Sequence, residues 1–413
     1  MTRGSKIRVG CFSGFLMLAV LAAAAGLATP VAEAATIRSR PLAGRSRSQV
    51  SESSRARRRM SRLRQSRRAA ASSSLHRTRT RRHRYYERFK TSSFAQDITD
   101  GDNAAGEDAV VRAAAVEALG NMNGTVVAIE PNSGRILAMV NQKLALSAGA
   151  QPCSTIKVPV ALAAISEGIV DKDTSISLGR RWSMNLTQAL AYSNNAYFEA
   201  IGRKLGFERV YRYARMFGLG ELAGYQIDGE QPGVYPAHEI SARLGGVGKM
   251  CSFGEGISMT PLQLGSLVSA MANGGTLYYL QHPETPEELT TFEPRIKRQL
   301  KIGNAVAEMT DGMLGAVHYG TARRLRLDFS EEEVMGKTGT CSHAGTRFGW
   351  FASYAKTDAG DVVVVVFLRG GRPTFGPKAA EIAGRMYQNL YAHSYFTARE
   401  APPEVVPAAA VIR

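Results

Sequence analysis

Short runs of β-branched and aromatic residues stand at both ends of residues 104–395, and helical periodicity fills the space between them. Gly124 to Glu130 and Arg135 to Val140 flank Pro131-Asn132-Ser133-Gly134, a hairpin composition. Val334 to Thr338, Phe348 to Ala355 and Val362 to Leu368 read as three later strands joined by Gly-containing turns. Residues 104–119 read as a helix ended by Gly120. Ser154 to Glu167, Thr187 to Leu205, Phe207 to Phe217, Thr260 to Asn273 and Gly376 to His393 carry helical spacing as well. Strands so far apart in sequence must meet to satisfy their edges. The pattern predicts an α+β fold: one mainly antiparallel sheet of about five strands flanked by helices, with an all-helical subdomain. Residues 281–301, polar with Pro283, Pro286 and Pro294, read as a surface excursion.

Charge divides the chain more sharply than hydropathy does. Residues 38–90 hold 18 Arg and one Lys against Glu52 and Glu87, a net +17 that equals the formal charge of all 413 residues. With few large apolar side chains, this stretch cannot bury enough surface to offset its ordering entropy, so 38–103 is expected to be a disordered tether. The basicity thus belongs to the tether, and the remainder is near neutral. Residues 104–395 are the expected folded domain, and 396–413, rich in Pro and Ala, an expected loose tail.

Residues 1–37 read as an export signal. Arg3, Lys6 and Arg8 precede an uncharged run from Val9 to Ala32, and Ala32-Glu33-Ala34 offers a cleavage site. The apolar run is also long enough to remain as a membrane anchor. Either way the domain is expected outside the cytoplasm, periplasmic or anchored to the outer face of the membrane. Export argues against nucleic acid as the tether's partner and favours anionic lipid or acidic wall polymer, with a plain solvated spacer as the alternative. Of the four cysteines, Cys11 lies in the signal. No CxxC pair or Cys/His ligand spacing is present, so no metal and no cofactor is expected. Cys153 and Cys341 can approach each other if both flank one cleft; two small buried thiols are the simpler reading.

Three short motifs carry the chemistry. Ser154-Thr155-Ile156-Lys157 sets a hydroxyl and an amine on one face of an expected helical first turn, where free N–H groups favour an anion. A desolvated lysine can deprotonate such a serine. Alone, the pair would pass as an N-cap and a solvated lysine. The apolar residues Val158 to Leu162 argue instead that this turn is buried, where an unused lysine is costly. Ser193-Asn194-Asn195 offers a relay hydroxyl, Ser193, and an amide, Asn195, to hold Lys157 or the substrate; alone it would read as a capping cluster. Lys337-Thr338-Gly339-Thr340 ends a strand. There Gly339 admits a substrate backbone, Thr338 and Thr340 donate to a carboxylate, and Lys337 adds charge. The N–H groups of Ser154 and Thr340 can form an oxyanion hole. Gly245-Gly246-Val247-Gly248-Lys249 lacks full phosphate-loop spacing and reads as loop glycine.

With these motifs in this order, residues Gly124 to His393 resemble the transpeptidase domain of penicillin-binding proteins. The likeness includes Thr125 to Pro131, Phe217-Gly218-Leu219-Gly220, Gly254 to Gln263, Ala272-Asn273-Gly274-Gly275, Gly320-Thr321-Ala322 and Val334-Met335-Gly336. It implies the penicillin-recognising, β-lactamase/transpeptidase-like fold. It also implies a serine D,D-transpeptidase that cross-links D-Ala-D-Ala stem peptides of peptidoglycan and is acylated by β-lactams. By the same resemblance Ser154 is the acylated nucleophile, Lys157 its base, and Ser193 the relay with Asn195 beside it. Lys337, Thr338 and Thr340 would form the carboxylate subsite. Cys153 stands where the family usually has Gly, and Cys341 where Ala is common. The Ser154-to-Ser193 connection looks shorter than usual. No glycosyltransferase or folded pedestal is read ahead of Gly124, so a polymerising role is not expected. The alternatives are a D,D-carboxypeptidase, a class D-like serine β-lactamase, and a non-catalytic β-lactam-sensing or wall-binding module. The missing water-activating acid argues against the lactamase, and the completeness of the motifs against the module.

Overall fold

The computed structural model describes residues 89–179, 181–357 and 360–397, all within one compact unit. The export segment, nearly all of the Arg-rich stretch and the residues after 397 lie outside the described residues. Among the described residues no helix is long and apolar enough to cross a membrane.

The chain runs through α1 (Ala109–Leu119), β1 (Gly124–Glu130), β2 (Arg135–Val140), α2 (Lys157–Ser166), α3 (Leu186–Ala191), α4 (Asn195–Leu205) and α5 (Phe207–Met216). It continues through α6 (Gly246–Phe253), α7 (Pro261–Ala272), α8 (Gly303–His318), β3 (Val334–His343), β4 (Thr346–Ala355), β5 (Val362–Gly370) and α9 (Gly376–Ala392). The five strands form one antiparallel sheet in the order β2-β1-β5-β4-β3. Early and late strands join where Thr125 pairs with Phe367 and Ile129 with Val363. Two short hairpins lie apart from it, Ile176–Gly179 with Trp182–Met184 and Thr276–Tyr278 with Ile296–Gln299.

Strand β5 explains the architecture. Its side chains alternate between two cores: Val363, Val365 and Phe367 face the helical layer of α2 to α8, while Val364, Val366 and Leu368 face α1 and α9. A central strand covered on both faces needs apolar residues at every position, hence its unbroken valine run. Helix α7 is buried at all its positions. Its start is fixed by a capping box between Thr260 and Gln263, with Pro261 at the first helical position.

Several boundaries differ from the sequence reading, and the differences shape the cleft. The expected helix from Thr187 to Leu205 is two helices, broken at Tyr192–Asn194. Ser193 adopts a left-handed φ of 56°, and the Asn194 side chain caps α4 through the Tyr197 N–H. Strand β3 runs to His343 rather than Thr338, because Ala344 and Gly345, both at positive φ, make a tight turn that keeps β3 and β4 in register. Helix α8 stands where the sequence reading assigns no element, and its Gly303, Gly312 and Gly315 lower helix propensity. Packing explains it: a Cβ on Gly312 would sit 2.8 Å from the Leu190 Cβ, so glycine lets α8 lie against α3. The supposed loop glycines 245–249 mostly begin α6, with Gly245 as its left-handed N-cap and Lys249 paired to Glu199 at 3.0 Å.

The domain's contacts also extend beyond the expected limits of 104–395. The Lys90 N–H donates to the Gly345 carbonyl, and Thr91 and Thr346 share a hydroxyl bond of 2.7 Å. Asp102 accepts from the backbone of Asn141 and Gln142. Phe396 is buried against Phe329 and Tyr387.

Candidate active site

Ser154 lies in a 3-10 turn, Cys153–Ile156, that leads directly into α2, so the first turn is tighter than the expected α-helix. Three residues per turn stack residue i over i+3. Lys157 therefore reaches straight back, and its Nζ lies 3.0 Å from the Ser154 Oγ.

The Lys157 side chain is fully buried. Its Nζ also meets the Ser193 carbonyl at 2.7 Å, the Ser193 Oγ at 3.1 Å and the Asn195 Oδ1 at 2.6 Å. The Phe198 ring stands 5.5 Å away. Burial, and then the positive charge of Lys337, hold Lys157 well below the ordinary lysine value. A neutral amine has two N–H donors and one lone pair. The Ser193 carbonyl and Asn195 Oδ1 can take the donors, which leaves the lone pair for the Ser154 hydroxyl. The break between α3 and α4 makes this possible, because the left-handed Ser193 offers its carbonyl and its hydroxyl to the same nitrogen.

Lys337 arrives from β3 and is also fully buried, and burial lowers its ammonium to about 7. Its Nζ donates to the Ser193 Oγ at 2.8 Å and to the Thr338 carbonyl at 2.9 Å. Ser193 is thus the shared partner of both lysines. The sequence reading gave Lys337 to a bound carboxylate; the structure instead turns it inward, onto the hydroxyl between the two amines.

The role expected of Gly339 also changes. A Cβ there would lie 2.8 Å from the Pro152 carbonyl and 3.2 Å from the Thr155 N–H, so the close neighbour is the protein's own Ser154-bearing turn. Thr338 and Thr340 point to the opposite face, as alternation along a strand requires. The Thr338 hydroxyl donates to the Thr321 hydroxyl at 2.7 Å, and the Thr340 hydroxyl accepts from the Gly376 N–H at 2.7 Å, which frees its own proton. Thr321, just after α8, is a residue the motif reading left without a role. Its only signal was its place in Gly320-Thr321-Ala322. Ser154, Lys157, Ser193, Asn195 and Lys337 form one connected cluster, and Thr338, Gly339 and Thr340 border it along the β3 edge.

Cys153 and Cys341 are joined as a disulfide with Cα atoms 5.5 Å apart, and the simpler reading of two thiols gives way to it. Cys251 is the one free cysteine among the described residues and is buried. A cavity of about 690 Å³ is lined by Gln151, Glu255, His343 and Arg369 and by none of the eight candidate residues. Among the described residues no group of three or more His, Cys, Asp or Glu can hold a metal ion.

The edge strand β3 thus lays the buried Lys337 against Ser193 of the helical layer, on an antiparallel sheet whose other face is covered by α1 and α9. The chain belongs to the family described as the penicillin binding protein transpeptidase domain, which matches residues 124–388. It is 25% identical to the peptidoglycan D,D-transpeptidase MrdA of Acinetobacter baumannii over 65% of this chain and 51% of that protein. It is 27% identical to stage V sporulation protein D of Bacillus subtilis over 64% of this chain and 48% of that protein. The chain thus spans about half the length of these curated relatives. Among solved structures it resembles Pseudomonas aeruginosa PBP2 in complex with WCK 5153, at a TM-score of 0.56 and 22% identity, covering 69% of this chain and 74% of that one. It also resembles a peptidoglycan glycosyltransferase from Burkholderia ambifaria, at a TM-score of 0.59 and 18% identity, covering 72% and 99%.

Proposed function

We propose that this protein is a serine D,D-transpeptidase that cleaves the D-Ala-D-Ala bond of one peptidoglycan stem peptide and joins the acyl fragment to the amine of another. The observation that carries this reading is the buried Lys157 amine, within hydrogen-bond distance of Ser154, Ser193 and Asn195. Neutral Lys157 takes the Ser154 proton as the Oγ attacks the carbonyl. The N–H groups of Ser154 and Thr340 hold the oxyanion. The proton passes from Lys157 through the Ser193 Oγ to the departing D-alanine nitrogen, with the Lys337 ammonium bonded to that same hydroxyl. D-Alanine leaves and an ester to Ser154 remains; an incoming amine then gives a proton to Lys157, which returns it to the Ser154 Oγ as the amine displaces the serine. Thr340 and Thr321 supply hydroxyl donors for the terminal carboxylate. The ring of a β-lactam opens on the same serine and leaves the same ester.

Water in place of the amine would make the protein a carboxypeptidase, and rapid water attack on the β-lactam ester would make it a lactamase. Glu199, one turn along α4 from Asn195, is engaged by Lys249 at 3.0 Å and Arg203 at 3.5 Å, which argues against its activating such a water. The test is incubation with a stem pentapeptide and a D-amino acid acceptor, alongside a chromogenic cephalosporin. The reading expects release of D-alanine, exchange into the peptide and one stoichiometric burst of colour. Sustained colour turnover without peptide exchange contradicts it.

The disulfide supports action in an oxidising compartment, with residues 1–37 as the export signal or anchor. The Arg-rich stretch would then meet anionic lipid or wall polymer on the outer side.

A further inference from the structure

The disulfide joins the residue immediately before Ser154 to the residue immediately after Thr340. Those neighbours carry the two N–H groups assigned to the oxyanion, and they are otherwise 186 residues apart in sequence. Cys153 is held at a left-handed φ of 54°, a conformation unusual for a residue with a Cβ. The turn also touches the sheet by non-covalent contacts. The Trp350 indole N–H donates to the Gln151 carbonyl at 3.0 Å, and Gly339 admits the Pro152 carbonyl. The first falls three residues before Ser154; the second sets Gly339 against Pro152 and Thr155, beside both donors, but by packing alone. The sulfur bridge ties the residues next to the two donors covalently.

We infer that Cys153 and Cys341 are positioning residues for acyl transfer: their disulfide sets the spacing between the Ser154 and Thr340 N–H groups, and reducing it slows acylation without unfolding the domain. This rests on the proposed acyl-transfer role of Ser154. An oxyanion hole is effective when its donors are fixed before charge develops, and losing one donor outright costs about 10²–10³ in rate. A donor pair that is loosened rather than lost should cost a smaller factor, on the order of tenfold. Dithiothreitol supplies the two electrons and two protons that turn the bridge into two thiols, and is itself oxidised to its cyclic disulfide.

The test uses the full chain, oxidised and then treated with dithiothreitol, with benzylpenicillin as the acylating probe and circular dichroism as the check on folding. The saturating acylation rate is expected to fall about tenfold on reduction, to recover on reoxidation, and to do so with little change in the non-covalent binding constant. Cys153→Gly and Cys341→Ala should each show the slow rate and no response to reductant. Should either variant fail to fold, reversal on the unaltered protein still decides the question. An equal or faster acylation rate in the reduced, folded protein overturns the proposal, even if thermal stability drops. No acylation of the oxidised protein would overturn the proposed function instead.

Discussion

The Asn195 Oδ1 lies 2.6 Å from the Lys157 Nζ, closer than the nucleophile that the same nitrogen is proposed to activate. This amide accepts one amine proton and so turns the lone pair toward Ser154. Asn195→Asp keeps the shape but places a carboxylate against Lys157. An opposite charge favours the ammonium form, so the lysine would keep its proton to higher pH. The acid limb of the acylation rate should move to higher pH, with a loss of about 10- to 100-fold at neutral pH. Stopped-flow acylation across a pH series checks both.

Lys337 bears on the same equilibrium with the opposite sign. Its positive charge helps to lower Lys157, after burial itself. Acylation by the unaltered protein should rise as Lys157 loses its proton and fall through about pH 7 as Lys337 loses its own. Lys337→Met should abolish the upper limb and shift the lower one upward. Stability should respond as well. In the unfolded chain this lysine holds its proton up to 10.5, in the folded one only to about 7. The unfolded state binds more protons in that window, so stability should rise between about pH 7 and 10, and the Met variant should lose that share of the rise.

Gly339 is confined by the protein rather than by substrate. Gly339→Ala brings a methyl to 2.8 Å from the Pro152 carbonyl, and neither the edge strand nor the turn can yield easily. We expect a stability loss of about 1–3 kcal/mol and a slower acylation, since relief would displace Ser154. Denaturant melts and acylation kinetics measure the two effects.

Thr260→Ala tests the scaffold away from the chemistry. It removes the capping box of a helix buried throughout, and a loss of about 0.5–2 kcal/mol is expected in denaturant melts. The acylation rate at 25 °C should hold, because α7 touches none of the reacting groups.

The five strands of the main sheet and most helices were legible because each has a sharp periodic pattern or an explicit stop. The valine run of β5 and the Pro131 to Gly134 turn are examples. Elements that depend on tertiary packing were not. Helix α8 carries glycines that lower its propensity, and only the close approach of α3 explains them. The break at Tyr192–Asn194 was hidden for a related reason: a left-handed serine leaves no mark in composition. In the site, residue types and order pointed to residues that the structure brings together, yet direction was invisible. A sequence shows that Lys337 and Gly339 share a face, but not that this face meets Ser193 and Pro152 rather than solvent. The Cys153–Cys341 pairing is a distance, and it became readable once β3 was placed against the turn.

The central claim is that Ser154 is acylated through the Lys157 amine. Intact-mass analysis after incubation with benzylpenicillin, with the adduct mapped to a peptide, tests it most directly. The account predicts one adduct, on Ser154, absent from Ser154→Ala and formed about 10²–10⁴-fold more slowly in Lys157→Ala. An adduct on another residue, or none on the folded protein, would contradict it.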